Sequence, residues 1–266
     1  MKALIDADSI LYLALPKKVN PDQTYEECCQ EIDDRIKNIV NKTGSDGYIL
    51  FLTQGKCFRY NNKKVTKDYK FSRKGKSMPP VFYALKEYMK QKHNAYIDTN
   101  LEADDLVCYF NNKFEEPTII CSPDKDVVKQ TPGVHYDYKK GIRIHTSEED
   151  GTKFLFMQMA MGDSTDGIKG IEGVGEKTVT KWFNELHQQK EEVKFSDYAS
   201  LIMDKYIDKY GIHEGINRYF ETFTMVYMLK TDDDMMRELG YIPEIPEFQI
   251  IEEKEEEKKA SILNDD

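Results

Sequence analysis

The stretch 117-PTIICSPDKDVV-128 decides the fold. Ile119, Ile120 and Cys121 form an apolar run without alternation, the pattern of a strand buried on both faces. Two acids, Asp124 and Asp126, follow at once. In a parallel sheet the residues just beyond the strands' carboxyl ends face the ligand. The same grammar recurs upstream. The segment 3-ALIDA-7 is a short apolar run ending among acids, and 48-YILFLT-53 is a continuous apolar strand. A further strand is expected at 95-AYIDT-99.

Helical segments separate these strands. Residues 25–40 place Ile32, Ile36, Ile39 and Val40 on one side. The segment 79-PPVFYALKEYMKQ-91 opens on prolines, which suit a helix start. A further helix is expected from about Ala103 to Phe114. Together these predict an α/β fold, a mostly parallel central sheet flanked by helices on both faces. Beyond Lys153 the strand signals fade. The segment 153-KFLFMQMAMGD-163 reads as helix, a glycine-rich stretch follows, and helical stretches resume at 176–190 and 196–230. The expected organisation is an α/β core over 1–152 and a helical region over 153–250. The charge-dense tail 251–266 is expected to be disordered.

No apolar run approaches the roughly 20 residues of a membrane span. The N-terminal apolar run is broken by Asp6 and Asp8, so a cytoplasmic setting is expected. Five cysteines form no CxxC pair and read as reduced thiols rather than a zinc site. The net charge of −10 argues against a polyanionic partner until its distribution is read. Residues 56–76 hold nine Lys/Arg and one acid, a local charge of +8, so the remainder carries −18. Such a segment can grip phosphates, with Tyr60, Tyr69 and Phe71 interleaved for stacking on unpaired bases. A plain solvated loop is the alternative.

The acids gather at predicted strand ends: Asp6 and Asp8, then Glu102, Asp104 and Asp105, then Asp124 and Asp126. Asp163 and Asp166 join them from 162-GDSTDGIKGIEGVGEKT-178. Any single pair could be only a helix cap. Four groups together repel one another unless cations neutralise them. An all-oxygen set favours Mg²⁺ or Mn²⁺, and two such ions would serve in-line attack on a phosphodiester. Downstream, the glycines around Gly173 and Gly175 leave backbone N–H groups open at a helix start, a ready phosphate site flanked by Lys169 and Lys177. Glycines that merely permit a turn are the other reading.

Four motifs, 4-LIDADSI-10, 101-LEADDLVCYF-110, 121-CSPDKDVV-128 and 161-MGDSTDGIKGIEGVGEKT-178, resemble those of the structure-specific 5′–3′ exonuclease and flap endonuclease family, bacteriophage members especially. The match runs in the family's order to about residue 185. It implies that Asp6, Glu102, Asp104, Asp105, Asp124, Asp126, Asp163 and Asp166 bind metal. It also implies a helical arch or clamp at about 56–80, where Lys70 and Arg73 act on the scissile phosphate, and a helix–three-turn–helix at about 161–185. Arg59, Lys67, Lys70, Arg73, Lys74, Lys169, Gly173, Gly175 and Lys177 become expected DNA contacts. Asp124 and Asp126, with Lys70 and Arg73, carry the expected catalysis. Two Mg²⁺ ions, replaceable by Mn²⁺, and K⁺ at the hairpin are the implied cofactors. Flapped, nicked or 5′-ended DNA is the implied substrate, and the resemblance extends this to RNA–DNA hybrids. The implied setting is a monomer in an infected bacterium, in phage replication or primer removal. One departure stands out. The family ends its second strand on an aspartate, whereas 50-LFLTQGKCFR-59 offers Thr53 and Gln54. A weakened contact, the use of Asp8 instead, an engineered inactivation, or a DNA-binding protein that has lost catalysis are the open explanations.

Overall fold

The structure, a computed structural model, describes residues 1–16, 22–63, 65, 69–70 and 78–250. Lys67, Arg73, Lys74 and the tail 251–266 lie outside the described residues, so the expectations that fall on them are not addressed by it.

Five strands form the main sheet: β1 (Lys2–Asp6), β2 (Gly47–Phe51), β3 (Thr118–Cys121), β4 (Gly133–Asp137) and β5 (Ile142–Thr146). Their order is β2-β1-β3-β4-β5, parallel except for the β4–β5 hairpin at one edge. β1 lies between β2 and β3 and pairs Ile5 with both Leu50 and Cys121. Side chains alternate between two apolar layers. Ala3 and Ile5 join the core on one face, with α1 (Asp8–Leu13), α2 (Tyr25–Thr43) and, after the short α3 (Phe58–Asn61), α4 (Pro80–His93). Leu4, Ile49 and Ile120 join the other, against α5 (Ala103–Lys113). Burial on both faces is why these strands read as unbroken apolar runs.

Local chemistry sets the helix limits. Thr24 and Glu27 form a capping box at the start of α2, and Gly44 ends it in the left-handed region. Pro80 occupies the first turn of α4, where its missing N–H costs nothing. Asp124 caps the short α6 (Lys125–Gln130) by accepting from Asp126 N–H.

Two expectations change. Residues 95–99 form no strand; Tyr96 makes a single parallel bridge to Phe51. The hairpin β4–β5 was not anticipated, because its outer strand is largely exposed and carries no apolar run.

The helical region follows: α7 (Glu148–Met161), a small ladder of β6 (Gly162–Asp163) and β7 (Ile168–Lys169), then α8 (Glu176–Gln189), α9 (Phe195–Tyr210), α10 (Ile212–Val226) and α11 (Asp232–Glu238). It has its own core around Leu155, Phe156, Val179, Phe183 and Tyr206, which also takes in Cys57 and Tyr69. After α10 the chain returns to the sheet, burying Met228, Leu229 and Met235 against α5. Among the described residues no helix is long and apolar enough to cross a membrane.

Candidate active site

Where β1, β2 and β3 end, a cavity of about 770 Å³ opens. Asp6 closes β1 and Asp8 opens α1. Glu102 and Asp104 flank the start of α5, and Asp124 and Asp126 flank the start of α6. Asp163 lies in β6, with Asp166 in the turn after it. All eight carboxylates line this one cavity.

A web of short bonds positions them. Ser122 Oγ donates to Asp6 Oδ2 at 2.8 Å and accepts from Asp124 N–H at 3.0 Å, tying the ends of β1 and β3 together. Thr53 N–H donates to Asp8 Oδ1 at 3.0 Å, while Thr53 Oγ1 accepts from Ala103 N–H at 2.9 Å. Thr165 N–H donates to Asp163 Oδ1 at 2.8 Å.

The crowd of carboxylates shows in its proton affinities. Burial, then the charges of Asp8 and Asp124, raise Asp6 to about 7 against the hydrogen bond from Ser122. Burial, with Asp6 and Asp124 nearby, holds Asp104 well above the carboxylate range. Asp8 is raised by burial despite its bonds from Thr53. Burial and Asp124 lift Asp126 to about 6. These groups resist carrying their charges together.

Where a lysine intervenes the direction reverses. Lys70 Nζ lies 2.6 Å from Glu102 Oε1, and Tyr69 OH donates to Glu102 Oε2 at 3.0 Å. Burial alone would raise Glu102, but Lys70 and Arg59 outweigh it and hold it at about 2. Lys70 itself is pushed upward by Glu102 against the effect of burial. Its backbone takes φ 50, unusual for a residue with a side chain. On the far wall Lys125 Nζ bridges Asp163 Oδ2 at 2.7 Å and Asp126 Oδ1 at 3.3 Å. Burial raises Asp163, yet the bonds from Lys125 and Thr165 bring it below its ordinary value.

Among the described residues no three acidic, imidazole or thiol groups stand together as a ready coordination shell. Lys70 and Lys125 instead lie against Glu102 and Asp163. The donors nevertheless fit a hard divalent ion. All are oxygens, and Asp126 Oδ1 and Gln158 Oε1 are buried without a hydrogen bond. A divalent ion held by Asp126 and Gln158 would satisfy these two oxygens.

Two expected residues work elsewhere. Asp105 is fully buried beside the cavity, not in it. Its oxygens receive Arg59 Nη1 at 2.6 Å and Nη2 at 2.7 Å, and Oδ1 also accepts from Leu229 N–H. Both oxygens are thus engaged within the protein, and Asp105 anchors Arg59 beside the cavity. Arg59, expected to contact DNA, is 1% exposed. It also donates to the carbonyls of Thr224 and Tyr227, fastening α3 to α5 and the end of α10. The apolar neighbours in 57-CFRY-60 were the available signal of its burial.

The glycine segment has two functions. A Cβ at Gly162 or Gly170 would fall within 2.4 Å of backbone, so these two permit the β6–β7 contact. Gly173 and Gly175 face open space, and Lys169 and Lys177 beside them are exposed. Gly175 starts α8 without a side-chain cap, leaving its N–H groups accessible to an anion.

Sequence reasoning missed Thr53, Ser122, Lys86, Lys125 and Gln158 as wall and mounting groups. Each is an ordinary residue whose role comes from which partner the fold brings near. The DKD spacing in 124–126 was the only local hint for Lys125.

No family model matches the chain. A 5′–3′ exonuclease of Buchnera aphidicola subsp. Acyrthosiphon pisum is 30% identical over 207 residues, covering 69% of this chain and 70% of that protein. The flap endonuclease Xni of Shewanella loihica is 27% identical over 184 residues, 62% of this chain and 71% of that one. Among solved structures, a T5 protein co-crystallised with metal ions superposes with a TM-score of 0.62 at 18% identity, covering 85% of this chain and 88% of that one, a likeness of fold.

Proposed function

The chain belongs to the 5′–3′ exonuclease and flap endonuclease family, and from that membership we propose that it hydrolyses phosphodiester bonds near the 5′ ends of DNA with divalent metal ions. The observation that carries this reading is the convergence of eight carboxylates, from four separate stretches of chain, on one cavity at the sheet's carboxyl edge. Asp6, Glu102, Asp104, Asp124, Asp126, Asp163 and Asp166 would hold two Mg²⁺ or Mn²⁺ ions. Bound ions supply charge neutralisation for the phosphate and a more acidic water for the attack.

The chain's own groups do the rest. Ser122 Oγ holds the Asp6 carboxylate and the Asp124 N–H, and the Thr53 N–H holds the Asp8 carboxylate. Lys70 is kept at the cavity wall by Glu102, where its ammonium would meet a phosphate oxygen of bound DNA. Arg73 is the expected second cation of that clamp. The open N–H groups at Gly173 and Gly175, with Lys169 and Lys177, grip the duplex backbone and fix its register to the cavity. The division at residue 153, K⁺ at the hairpin, RNA–DNA hybrids as further substrates, a monomeric state and a role in phage replication or primer removal complete the proposal.

Gln54 motivates a second reading, a flap-binding protein that does not cut. A cleavage time course on 5′-labelled flap and blunt duplexes separates the two, run with Mg²⁺, with Mn²⁺ and with EDTA beside Asp124→Asn. Metal-dependent product that vanishes in Asp124→Asn establishes the nuclease. Tight flap binding without product under every condition favours the binder.

A further inference from the structure

We infer that Asp8 supplies the cavity with the carboxylate that β2 does not. The inference rests on the metal-dependent reading above. β1 ends on Asp6, and β3 is followed by Asp124. β2 lies beside β1 in the sheet, but its carboxyl end runs through Thr53, Gln54 and Gly55, without an acid. Gln54 is exposed at the cavity rim, and its carbonyl accepts from Lys86 Nζ at 3.2 Å.

The place is nevertheless occupied by a carboxylate. Asp8 arrives from the first turn of α1 and accepts from Thr53 N–H at 3.0 Å, at the spot where β2 stops. The hydroxyl of the same threonine receives Ala103 N–H, the residue between Glu102 and Asp104. One residue just beyond β2, through its backbone N–H and its hydroxyl, therefore mounts both acid-bearing helix starts. Lys86 of α4, donating to the Thr53 and Gln54 carbonyls, brings a cation to this corner and offsets Asp8's charge. A first-turn acid that merely faced the α1 dipole would need neither the threonine mount nor a place in the cavity wall.

The test is Mn²⁺ binding followed by electron paramagnetic resonance, on wild type, Asp8→Asn, and Asp8→Asn combined with Gln54→Asp. Thermal melts establish that each variant is folded. We expect Asp8→Asn to weaken Mn²⁺ binding by about tenfold or more, and Gln54→Asp to recover most of the loss. Unchanged binding in Asp8→Asn overturns the inference and leaves the nuclease reading intact. So does a loss that Gln54→Asp fails to relieve, because the effect then does not belong to the β2 position. A wild type that binds no Mn²⁺ overturns both.

Discussion

Asp104 and Asp105 are chain neighbours turned in opposite directions. Asp104 faces the cavity, and Asp105 closes a fully buried bidentate pair with Arg59. Breaking such a pair from one side leaves an uncompensated charge, at a cost of about 3–5 kcal/mol. Asp105→Asn should lower unfolding stability by that order in urea, while Asp104→Asn should abolish cleavage and leave the midpoint near wild type. Equal midpoints would return Asp105 to the list of metal ligands. A second prediction concerns pH. The folded-state values of Asp6, about 7, and Asp126, about 6, exceed the ordinary 3.8. The metal-free folded protein then holds more protons than the unfolded chain between these limits, so stability falls as pH rises through them. Glu102, held at about 2, acts in another window, losing its contribution only below its ordinary 4.5. Melting in EDTA should therefore drop between about pH 5 and 7.5, and added Mg²⁺ should stabilise most at the upper end. A flat profile would count against the crowded carboxylates.

At the scale of elements, the segment from α7 to α8 separates glycines that build from glycines that expose. A Cβ at Gly170 would lie 2.3 Å from the Ala160 carbonyl, so Gly170→Ala should cost about 1–3 kcal/mol by overpacking. Gly175 has extended backbone and open space around it. Gly175→Ala should melt like wild type yet bind duplex DNA several-fold more weakly, because a methyl group intrudes on the approach of a phosphate to the α8 N-terminus. Unimpaired binding would remove that helix start from the DNA surface. The proposed role of Lys70 is tested by Lys70→Ala. Turnover should fall much more than flap affinity, since the Lys70 ammonium lies beside Glu102 in the cavity rather than on the outer surface.

The whole molecule segregates its charge, with +8 concentrated at 56–76 in a chain of −10 and eight carboxylates in one cavity. Without divalent ions that cavity repels the phosphates the basic segment attracts. Removing one of its charges should relieve the repulsion. In EDTA, Asp126→Asn should bind a flap substrate more tightly than wild type, by a few-fold at low salt, although it no longer cuts. Weaker binding by the variant would place the DNA away from the acids. Arg59 works at the same scale, linking α3, α5 and the end of α10 through one buried anchor.

The parallel sheet was legible in the sequence because strands buried on both faces must be apolar throughout, as Ile119–Cys121 and Ile49–Leu52 are. The acids at strand ends were legible too, since chain position alone puts Asp6, Asp124 and Asp126 at one edge of such a sheet. The hairpin β4–β5 and the single bridge at Tyr96 were not, because an edge strand bonds on one side and imposes little on its side chains. Nor could local pattern separate Asp104 from Asp105, reveal Arg59 as an interior residue, or bring Asp8 to the end of β2. Those outcomes depend on partners 45 to 168 residues away, Thr53 for Asp8 and Tyr227 for Arg59 among them. A carboxylate's role follows from the cation or N–H group that the tertiary fold sets beside it, and sequence spacing carries no trace of a contact made across the molecule.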